Sequence, residues 1–388
     1  MSVFDRLDEA LKLSGDEKML VDSVRQLARD QLAPRAAEFD RSGDFPHANV
    51  KAINALGLNA MFIPEAYGGA HLSYTAYLEC VREISKACAS TGVIWATNFH
   101  AIKPLIDFGN DEQKRRLLPV ILKGGLASLT ITEPTAGSDA TGMTTGFKPD
   151  GDHILVNGAK TFITNGAHAD IYMLFGKWSE IADSKGAISA LVVEKGTPGL
   201  SVVREEDKMG LRASSTAALA FDNCRVPRAN LLGKPGDGLK ILLASLNQSR
   251  PSVAAHALGI ARAAFEDAVG YINERRQSGH KIIEFQGIQF MLADIATDLA
   301  MCEAWLWRVA GMVDSGAKDF GVEASMLKMR ASDLAMRITT DAVQLHGGYG
   351  YCKDYRVERL MRDAKITQIW EGTNQIHRQF IGRSFMKK

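Results

Sequence analysis

The chain has 388 residues, of which 46% are apolar, and this allows two or three domains with sizeable hydrophobic cores. Its 46 basic and 45 acidic residues nearly cancel, so no general electrostatic affinity for nucleic acid or for an anionic membrane is expected. The five cysteines are scattered and include no Cys-x-x-Cys pair. This pattern argues against a disulfide framework and against structural zinc, and it favours a reducing compartment.

The first residues do not resemble a targeting segment. Acidic residues follow the initial methionine closely, unlike in a basic, acid-poor transit peptide, and no apolar stretch of the sequence reaches membrane-spanning length. We therefore expect no membrane insertion and a location in the bacterial cytoplasm. The mitochondrial matrix is the alternative if the sequence is that of a processed form.

Helical periodicity dominates the first third of the chain. Leu20, Val24 and Leu27 recur on one helical face, and Pro34 is expected to end that helix. The helical pattern continues to Lys123. Residues 1–123 are therefore predicted to form an N-terminal α-helical domain.

Residues 124–235 instead contain short β-rich runs separated by loop residues. These runs are Leu129 to Thr132, Phe162 to Thr164, Ile171 to Phe175, Ile188 to Val193 and Ala217 to Phe221. Several strands at such short spacing predict a central β-barrel or β-sandwich domain.

Helical periodicity returns after Gly238. In residues 288–309 and 327–345, apolar side chains recur in steps of three and four, as they do in bundle helices. Residues 236–388 are therefore predicted to form a C-terminal four-helix bundle. The fold class that follows is α+β and multi-domain, in the order helix, sheet, helix.

Two kinds of motif bear on ligands. The glycine-rich run from Gly347 to Gly350 follows a predicted helix, so it lacks the strand-to-helix context of a dinucleotide-binding loop. The nine histidines show no metal-ligand spacing, and no metal site is predicted. Residues 132–139 and 161–166 combine hydroxyl groups with turns that expose backbone N–H groups, which suits either ordinary loops or a ligand site.

Over essentially its whole length the sequence resembles the acyl-CoA dehydrogenase family, and residues 197–238, 254–264 and 362–378 resemble its short-chain, butyryl-CoA members most. The resemblance implies the helix, sheet, helix architecture, a bound FAD and a homotetramer. FAD would lie between the β domain and the last helical domain. An acyl-CoA substrate would be held against the flavin, and electrons would pass to electron-transfer flavoprotein.

The run from Ile369 to Thr373 matches the family's catalytic segment and implies that Glu371 is the base. It would remove the pro-R proton next to the thioester while a hydride leaves the β-carbon for flavin N5. As a bare residue, Glu371 would instead be a solvated glutamate before a helix that starts near Asn374. The matching substrate-binding positions are Ser138, Asn247, Arg250 and Gly372.

The cofactor positions implied by the resemblance lie in several segments. Thr164 matches the residue that hydrogen-bonds flavin N5, and Arg275 and Gln286 match contacts to the FAD diphosphate and adenine end. Gln344 with Gly347 and Gly348 matches a segment supplied by the neighbouring subunit. The full set is Leu129, Thr132, Ser138, Phe162, Thr164, Arg275, Gln286, Gln344, Gly347, Gly348, Thr373 and Gln375.

Three positions depart from the family pattern. Phe162 replaces a Trp beside the flavin, Ser278 replaces a Phe, and Asn247 replaces an Asp that contacts the pantetheine. Trp95 and Phe99 are expected near the acyl pocket and favour a short acyl group. The alternatives are a branched-chain or cyclic acyl-CoA dehydrogenase, an acyl-CoA oxidase, and a nonenzymatic assembly module of the same fold.

Overall fold

The computed structural model describes residues 3–386 and shows a helical region, a sheet region and a second helical region in that order. The predicted fold class is confirmed. The helices of the first region are α1 (Val3–Glu9), α2 (Gly15–Leu27), α3 (Ala33–Ser42), α4 (His47–Ala55), α5 (Tyr74–Ala87), α6 (Ala89–Phe108) and α7 (Asp111–Leu122). No helix within residues 3–386 is both long and apolar enough to cross a lipid bilayer.

The predicted helix end at Pro34 is wrong. Helix α2 passes through a π-helical turn, Ala28–Leu32, directly into α3, and Pro34 lies in the first turn of α3. The π turn shifts the hydrogen-bond pattern by one residue, because the Ala33 N–H donates to the Ala28 carbonyl. Pro34 therefore occupies a place where a missing N–H and a rigid φ are tolerated.

One mixed sheet forms the central region. Its strands are β1 (Ala127–Thr130), β2 (Gly146–Asp150), β3 (His153–Thr164), β4 (Ile171–Trp178), β5 (Ile188–Glu194), β6 (Leu200–Glu205), β7 (Thr216–Pro227) and β8 (Leu231–Leu232). The order is β6-β7-β3-β2-β4-β5-β8, and β1 pairs in parallel with β4. The predicted runs fall on these strands, except that β1 ends at Thr130 and not at Thr132 because the chain turns away into a loop.

Alternate side chains of β4 face two different cores. Met173 and Phe175 pack in the core that is shared with the helices, whereas Tyr172 and Leu174 pack in a second core inside the sheet region. Because side chains alternate across a strand, burial on both faces explains why β4 is apolar throughout. The sheet is thereby fixed against both helical regions.

Three long helices dominate the last region, and each is rich in buried apolar positions. They are α8 (Gly238–Glu274), α9 (Gln286–Asp314) and α10 (Gly321–His346), followed by α11 (Val357–Lys365) and α12 (Asn374–Ser384). A short hairpin of β9 (Arg276–Gln277) and β10 (His280–Lys281) joins α8 to α9. The domain limits 1–123, 124–235 and 236–388 stay a prediction.

A buried ion-pair network joins the first and last helical regions. The Arg82 guanidinium donates to Glu79 (2.8 Å), Glu303 (2.9 Å) and Asp8 (2.8 Å). Arg262 donates to both oxygens of Glu303 at 3.1 Å. The carboxylates of this cluster thus face arginines from α5 and α8, and their role is to hold α1, α5, α8 and α9 together.

Candidate active site

Glu371 lies in the loop between α11 and α12 with an unusual backbone conformation. Its φ is +53° and that of Gly372 is +92°, so two consecutive residues occupy the left-handed region. The Ser249 hydroxyl of α8 donates to Glu371 Oε2 at 2.7 Å. Within residues 3–386 the amide N–H of Glu371 donates no hydrogen bond. The loop therefore presents a carboxylate and a free N–H side by side.

Burial raises the pKa of the Glu371 carboxyl above its ordinary value. The Ser249 hydroxyl, followed by the charges of Arg250 and Lys328, acts in the opposite direction without cancelling the effect of burial. A carboxylate whose proton affinity is raised in this way is a stronger base than one in water.

Arg250 is buried beside this carboxylate. Its Nη1 donates to Asn247 Oδ1 at 3.0 Å and to Ser325 Oγ at 3.2 Å, and its Nε has no partner within the described residues. Burial lowers the pKa of Arg250, and attraction to Glu371 opposes that shift. Two predicted substrate residues, Asn247 and Arg250, are thus brought together.

The sequence reasoning missed Lys328, which is fully buried in α10. Its Nζ donates to the Gly372 carbonyl at 2.7 Å and to Asn374 Oδ1 at 3.1 Å. The available signal was the spacing of Ser325, Lys328 and Ser332, which places three polar residues on one face of an apolar helix. A lysine at such a position is normally exposed, so the spacing did not predict a site residue.

Thr373 and Gln375 follow the carboxylate directly. Thr373 caps α12, because its hydroxyl accepts from the Ile376 N–H at 3.4 Å. Gln375 is exposed, and its side chain makes no hydrogen bond within residues 3–386. The helix that was expected near Asn374 begins at that residue.

Leu129, Thr132, Phe162 and Thr164 lie where the last residues of β1 and β3 meet, at the ends of these strands, and this area is called the sheet edge. The Ser128 hydroxyl donates to the Thr164 carbonyl at 2.8 Å, which ties β1 to β3. A register shift between Lys160 and Ile163 marks a β-bulge in β3, and Phe162 has a φ of +57° within it. Because a bulge redirects side chains, Phe162 points outward with 64% of its surface exposed.

A second feature that the sequence reasoning missed is the buried pair Glu133–Lys160, which shapes the loop carrying Thr132 and Ser138. Lys160 Nζ lies 2.9 Å from Glu133 Oε1 and donates to the Ile131 carbonyl at 2.8 Å. Glu133 also accepts from the N–H groups of Thr144 (2.6 Å) and Thr145 (2.9 Å). The loop is fixed at its base while Ser138 is exposed at its tip.

The remaining cofactor positions in the last helical region are exposed. Arg275 lies over the ring of Tyr349 at 5.6 Å, next to Gly347 and Gly348. The exposed side chains of Arg275, Gln286 and Gln344 make no hydrogen bond within residues 3–386. No hydrogen bond of the described chain joins this group to the edge of the sheet or to Glu371.

Trp95 and Phe99 are buried in an aromatic cluster near the carboxylate. Phe99 packs against Tyr77 with ring centroids 4.4 Å apart, and the Tyr77 hydroxyl lies 3.0 Å from Ser252 Oγ on α8. Ser252 is one helical turn beyond Ser249. The cluster therefore packs against the same helix, α8, that contacts Glu371 through Ser249.

Polar groups without a hydrogen-bond partner in the described chain occur both at the sheet edge and next to Glu371, and they allow a test of the FAD prediction. The hydroxyls of Thr132, Ser138 and Thr164 make no hydrogen bond within residues 3–386, and Trp370 Nε1 is buried without a partner. Buried or clustered polar groups without protein partners indicate a polar ligand. These donors and acceptors fit a flavin with polar edges.

Comparison with known proteins agrees with this arrangement. The N-terminal, middle and C-terminal domains of acyl-CoA dehydrogenase match residues 14–125, 128–224 and 236–386, respectively. The chain therefore belongs to the acyl-CoA dehydrogenase family of FAD flavoproteins, and it is an oxidoreductase of that class.

Similarity to individual proteins is high along the full length. A short-chain-specific acyl-CoA dehydrogenase of Clostridium acetobutylicum is 40% identical over 95% of this chain and 97% of its own. The structure of butyryl-CoA dehydrogenase from Megasphaera elsdenii has a TM-score of 0.94 at 37% identity, covering 97% of this chain and 99% of the other. A structure described as the electron transferring flavoprotein of Acidaminococcus fermentans has a TM-score of 0.94 at 41% identity, with the same coverage. The predicted family resemblance is confirmed.

Proposed function

We propose that this protein oxidises a short-chain acyl-CoA to the trans-2-enoyl-CoA, with Glu371 as the base. The observation that supports this most directly is the environment of Glu371. The pKa of its carboxyl is raised because burial outweighs the one hydroxyl donor and the nearby cations, which form no direct ion pair with it in the described chain. Such a group suits the removal of a weakly acidic proton.

In the proposed reaction Glu371 takes the proton from the carbon next to the thioester as the C–H bond breaks. The hydrogen on the β-carbon leaves with its electron pair, and a double bond forms between the two carbons. Bound FAD supplies the two-electron acceptor. The Glu371 N–H, which has no partner within the described residues, would donate to the thioester oxygen and stabilise its negative charge.

Cofactor binding is assigned to the sheet edge, to the exposed positions of the last helical region and to the loop around Glu371. Leu129, Thr132, Phe162 and Thr164 would face the flavin ring, with Ser138 near the diphosphate and the CoA. Arg275, Gln286, Gln344, Gly347 and Gly348 would complete the site across a subunit boundary, as in the expected homotetramer. Their exposure in the single chain supports a site that needs a ligand and a second subunit.

A short acyl group is favoured by the aromatic cluster of Tyr74, Tyr77, Trp95 and Phe99, which occupies the space beyond Ser249 and Ser252. Ser278, which prompted the branched or cyclic alternative, lies in the turn of the β9–β10 hairpin. Its φ of +51° and that of Gly279, +83°, are typical of a two-residue hairpin turn. This conformation explains a small residue at position 278 without a larger acyl group, which supports the short-chain proposal.

The proposed electron acceptor is electron-transfer flavoprotein, which the similarity to the Acidaminococcus structure supports. The exposed ring of Phe162 at the sheet edge would lie next to the docking area. The relatives compared above are bacterial, which supports the bacterial cytoplasm and gives no support to the mitochondrial alternative.

The test follows the visible flavin spectrum of purified protein under anaerobic conditions during addition of butyryl-CoA. The parent is expected to bleach rapidly, and E371Q is expected to bleach at least about 100-fold more slowly because general base catalysis is lost. E112Q, which neutralises an exposed glutamate at the start of α7, serves as the matched control and should behave like the parent.

Each alternative has its own outcome. Equal bleaching of E371Q and the parent would contradict the role of the base. Bleaching with isobutyryl-CoA or a cyclic thioester, but not with butyryl-CoA, would establish the branched or cyclic alternative. Rapid oxygen consumption during turnover would indicate an oxidase.

A further inference from the structure

Lys328 contacts the Glu371 loop at a different point from Ser249. Its ammonium group donates to the Gly372 carbonyl, one residue beyond the base, and to the Asn374 side chain at the start of α12. Asn374 in turn donates to Ser332 Oγ (2.9 Å) and to Asp333 Oδ1 (2.7 Å) on α10. One face of α10 therefore binds the loop through a continuous set of hydrogen bonds.

The loop requires such support because its backbone is strained. Glu371 is a non-glycine residue in the left-handed region, and this conformation persists only where surrounding contacts determine it. Within residues 3–386 the Glu371 N–H has no acceptor, so the hydrogen bond from Lys328 to the Gly372 carbonyl restrains the loop backbone directly after the base. Loss of this bond would allow the peptide to rotate and move the carboxylate.

We propose that Lys328 is a positioning residue for the proton abstraction, acting through the Gly372 carbonyl and as a buried cation beside Glu371. This inference rests on the proposed role of Glu371. It assigns a function to a side chain that reaches neither solvent nor the sheet edge and that is fully enclosed by protein.

The charged and titratable groups that face Lys328 come from the Glu371 loop, α8, α10 and α12. They are Glu371, Arg250, Asp333 and His377. Burial lowers the pKa of Lys328 to about 7; attraction to Glu371 opposes that shift and repulsion from Arg250 adds to it. Burial lowers the pKa of His377 to about 3, so that imidazole is neutral and adds no charge.

Neutralising Lys328 should therefore have two separable effects. Removal of the cation raises the pKa of Glu371 further, so the acid limb of the kcat profile moves to higher pH. Removal of the donor loosens the loop and lowers the kcat plateau by about 10- to 100-fold, because small displacements of reacting groups are costly. K328Q retains N–H donors without charge, whereas K328M retains neither.

The experiment uses FAD-loaded parent, K328M, K328Q and E371Q, with R330M as the control from an exposed position on the same helix. For each, we would measure kcat against pH and the exchange of the α-proton of butyryl-CoA with solvent deuterium. K328M should have a lower maximum kcat and an acid limb moved to higher pH. K328Q should mainly show the moved acid limb, and R330M should match the parent in both. Slower deuterium exchange in K328M would place the defect in proton removal.

The failures can be distinguished. If E371Q retains activity, the proposed function itself is wrong. If E371Q is inactive but K328M and K328Q keep the parent's plateau and acid limb, only the role of Lys328 is wrong. Should the Lys328 variants fail to fold, S332A replaces them: it removes one hydroxyl from the hydrogen bonds between α10 and the loop and keeps the Lys328 cation. A kcat in S332A equal to that of the parent would then overturn the positioning role. A lowered maximum kcat with an unchanged low-pH side of the kcat profile would support it.

Discussion

The buried Glu133 and the partly buried Glu371 have opposite electrostatic environments. Glu133 forms an ion pair with Lys160 at 2.9 Å and accepts from the N–H groups of Thr144 and Thr145. Glu371 accepts one hydrogen bond, from Ser249, and takes part in none of the ion pairs of residues 3–386. The two carboxylates differ in what surrounds them, and not in their chemistry.

The pKa values follow this difference. Burial by itself raises the pKa of Glu133, but Lys160 and the hydrogen bonds more than compensate and lower it to about 2. At Glu371 burial prevails and the pKa is raised. A carboxylate with several donors is held as an ion and stabilises the fold, whereas one with a single donor is able to accept a proton.

The largest expected effect comes from breaking the structural pair. K160M leaves the Glu133 charge buried without a cation, which should lower the free energy of unfolding by about 3–5 kcal/mol. Urea denaturation of the FAD-loaded protein measures this. R225M, which removes a cation from the exposed pair with Asp150, should cost about 1 kcal/mol or less.

A double variant, K160M/E133Q, sharpens the assignment. Because it removes both charges, it should recover part of the stability that K160M loses. Equal stability of K160M and R225M would show that the buried pair contributes no more than a surface pair.

A smaller effect concerns acid stability. The pKa of Glu133 in the folded protein is about 2, below its ordinary value of 4.5, so its contribution is present above pH 4.5 and is lost as the pH falls towards 2. E133Q should therefore lose less stability than the parent between pH 4.5 and pH 2. Thermal unfolding of both proteins at successive pH values measures this difference. The raised pKa of Glu371 has the opposite sign, because its ionisation removes stability as the pH rises. An unchanged acid profile in E133Q would contradict the low pKa.

Sequence periodicity predicted the larger features of the fold because they depend on patterned burial. The stripe from Leu327 to Leu345 is buried in α10, as expected. The π turn before Pro34 was not predicted, because the same residues can form either the α-helical or the π-helical hydrogen-bond pattern. Boundaries such as the end of β1 depend on the same kind of detail.

For the site, the sequence alone left Glu371 ambiguous, and only the family resemblance favoured the base. Lys328 and Lys160 were not predicted because their partners, Gly372 and Glu133, are 44 and 27 positions away in the chain. Such contacts arise from packing between elements and leave no periodic signal. The exposed cofactor positions stay predictions, since they need a ligand and a neighbouring subunit to form a site.

The smallest effect tests the single hydrogen-bond donor to Glu371, the proposed base. S249A removes the hydroxyl that lowers the pKa of Glu371, so the acid limb of the kcat profile should move to higher pH. The plateau should fall by roughly fivefold, which corresponds to about 1 kcal/mol for one hydrogen bond. S245A is the matched control, because it removes a buried hydroxyl one turn earlier on α8 that donates to the His100 carbonyl instead. If S249A and S245A move the low-pH side of the kcat profile equally, the effect belongs to the packing of α8. If only S249A moves it, the small number of hydrogen-bond donors at Glu371 is what makes this glutamate a base while Glu133 is not.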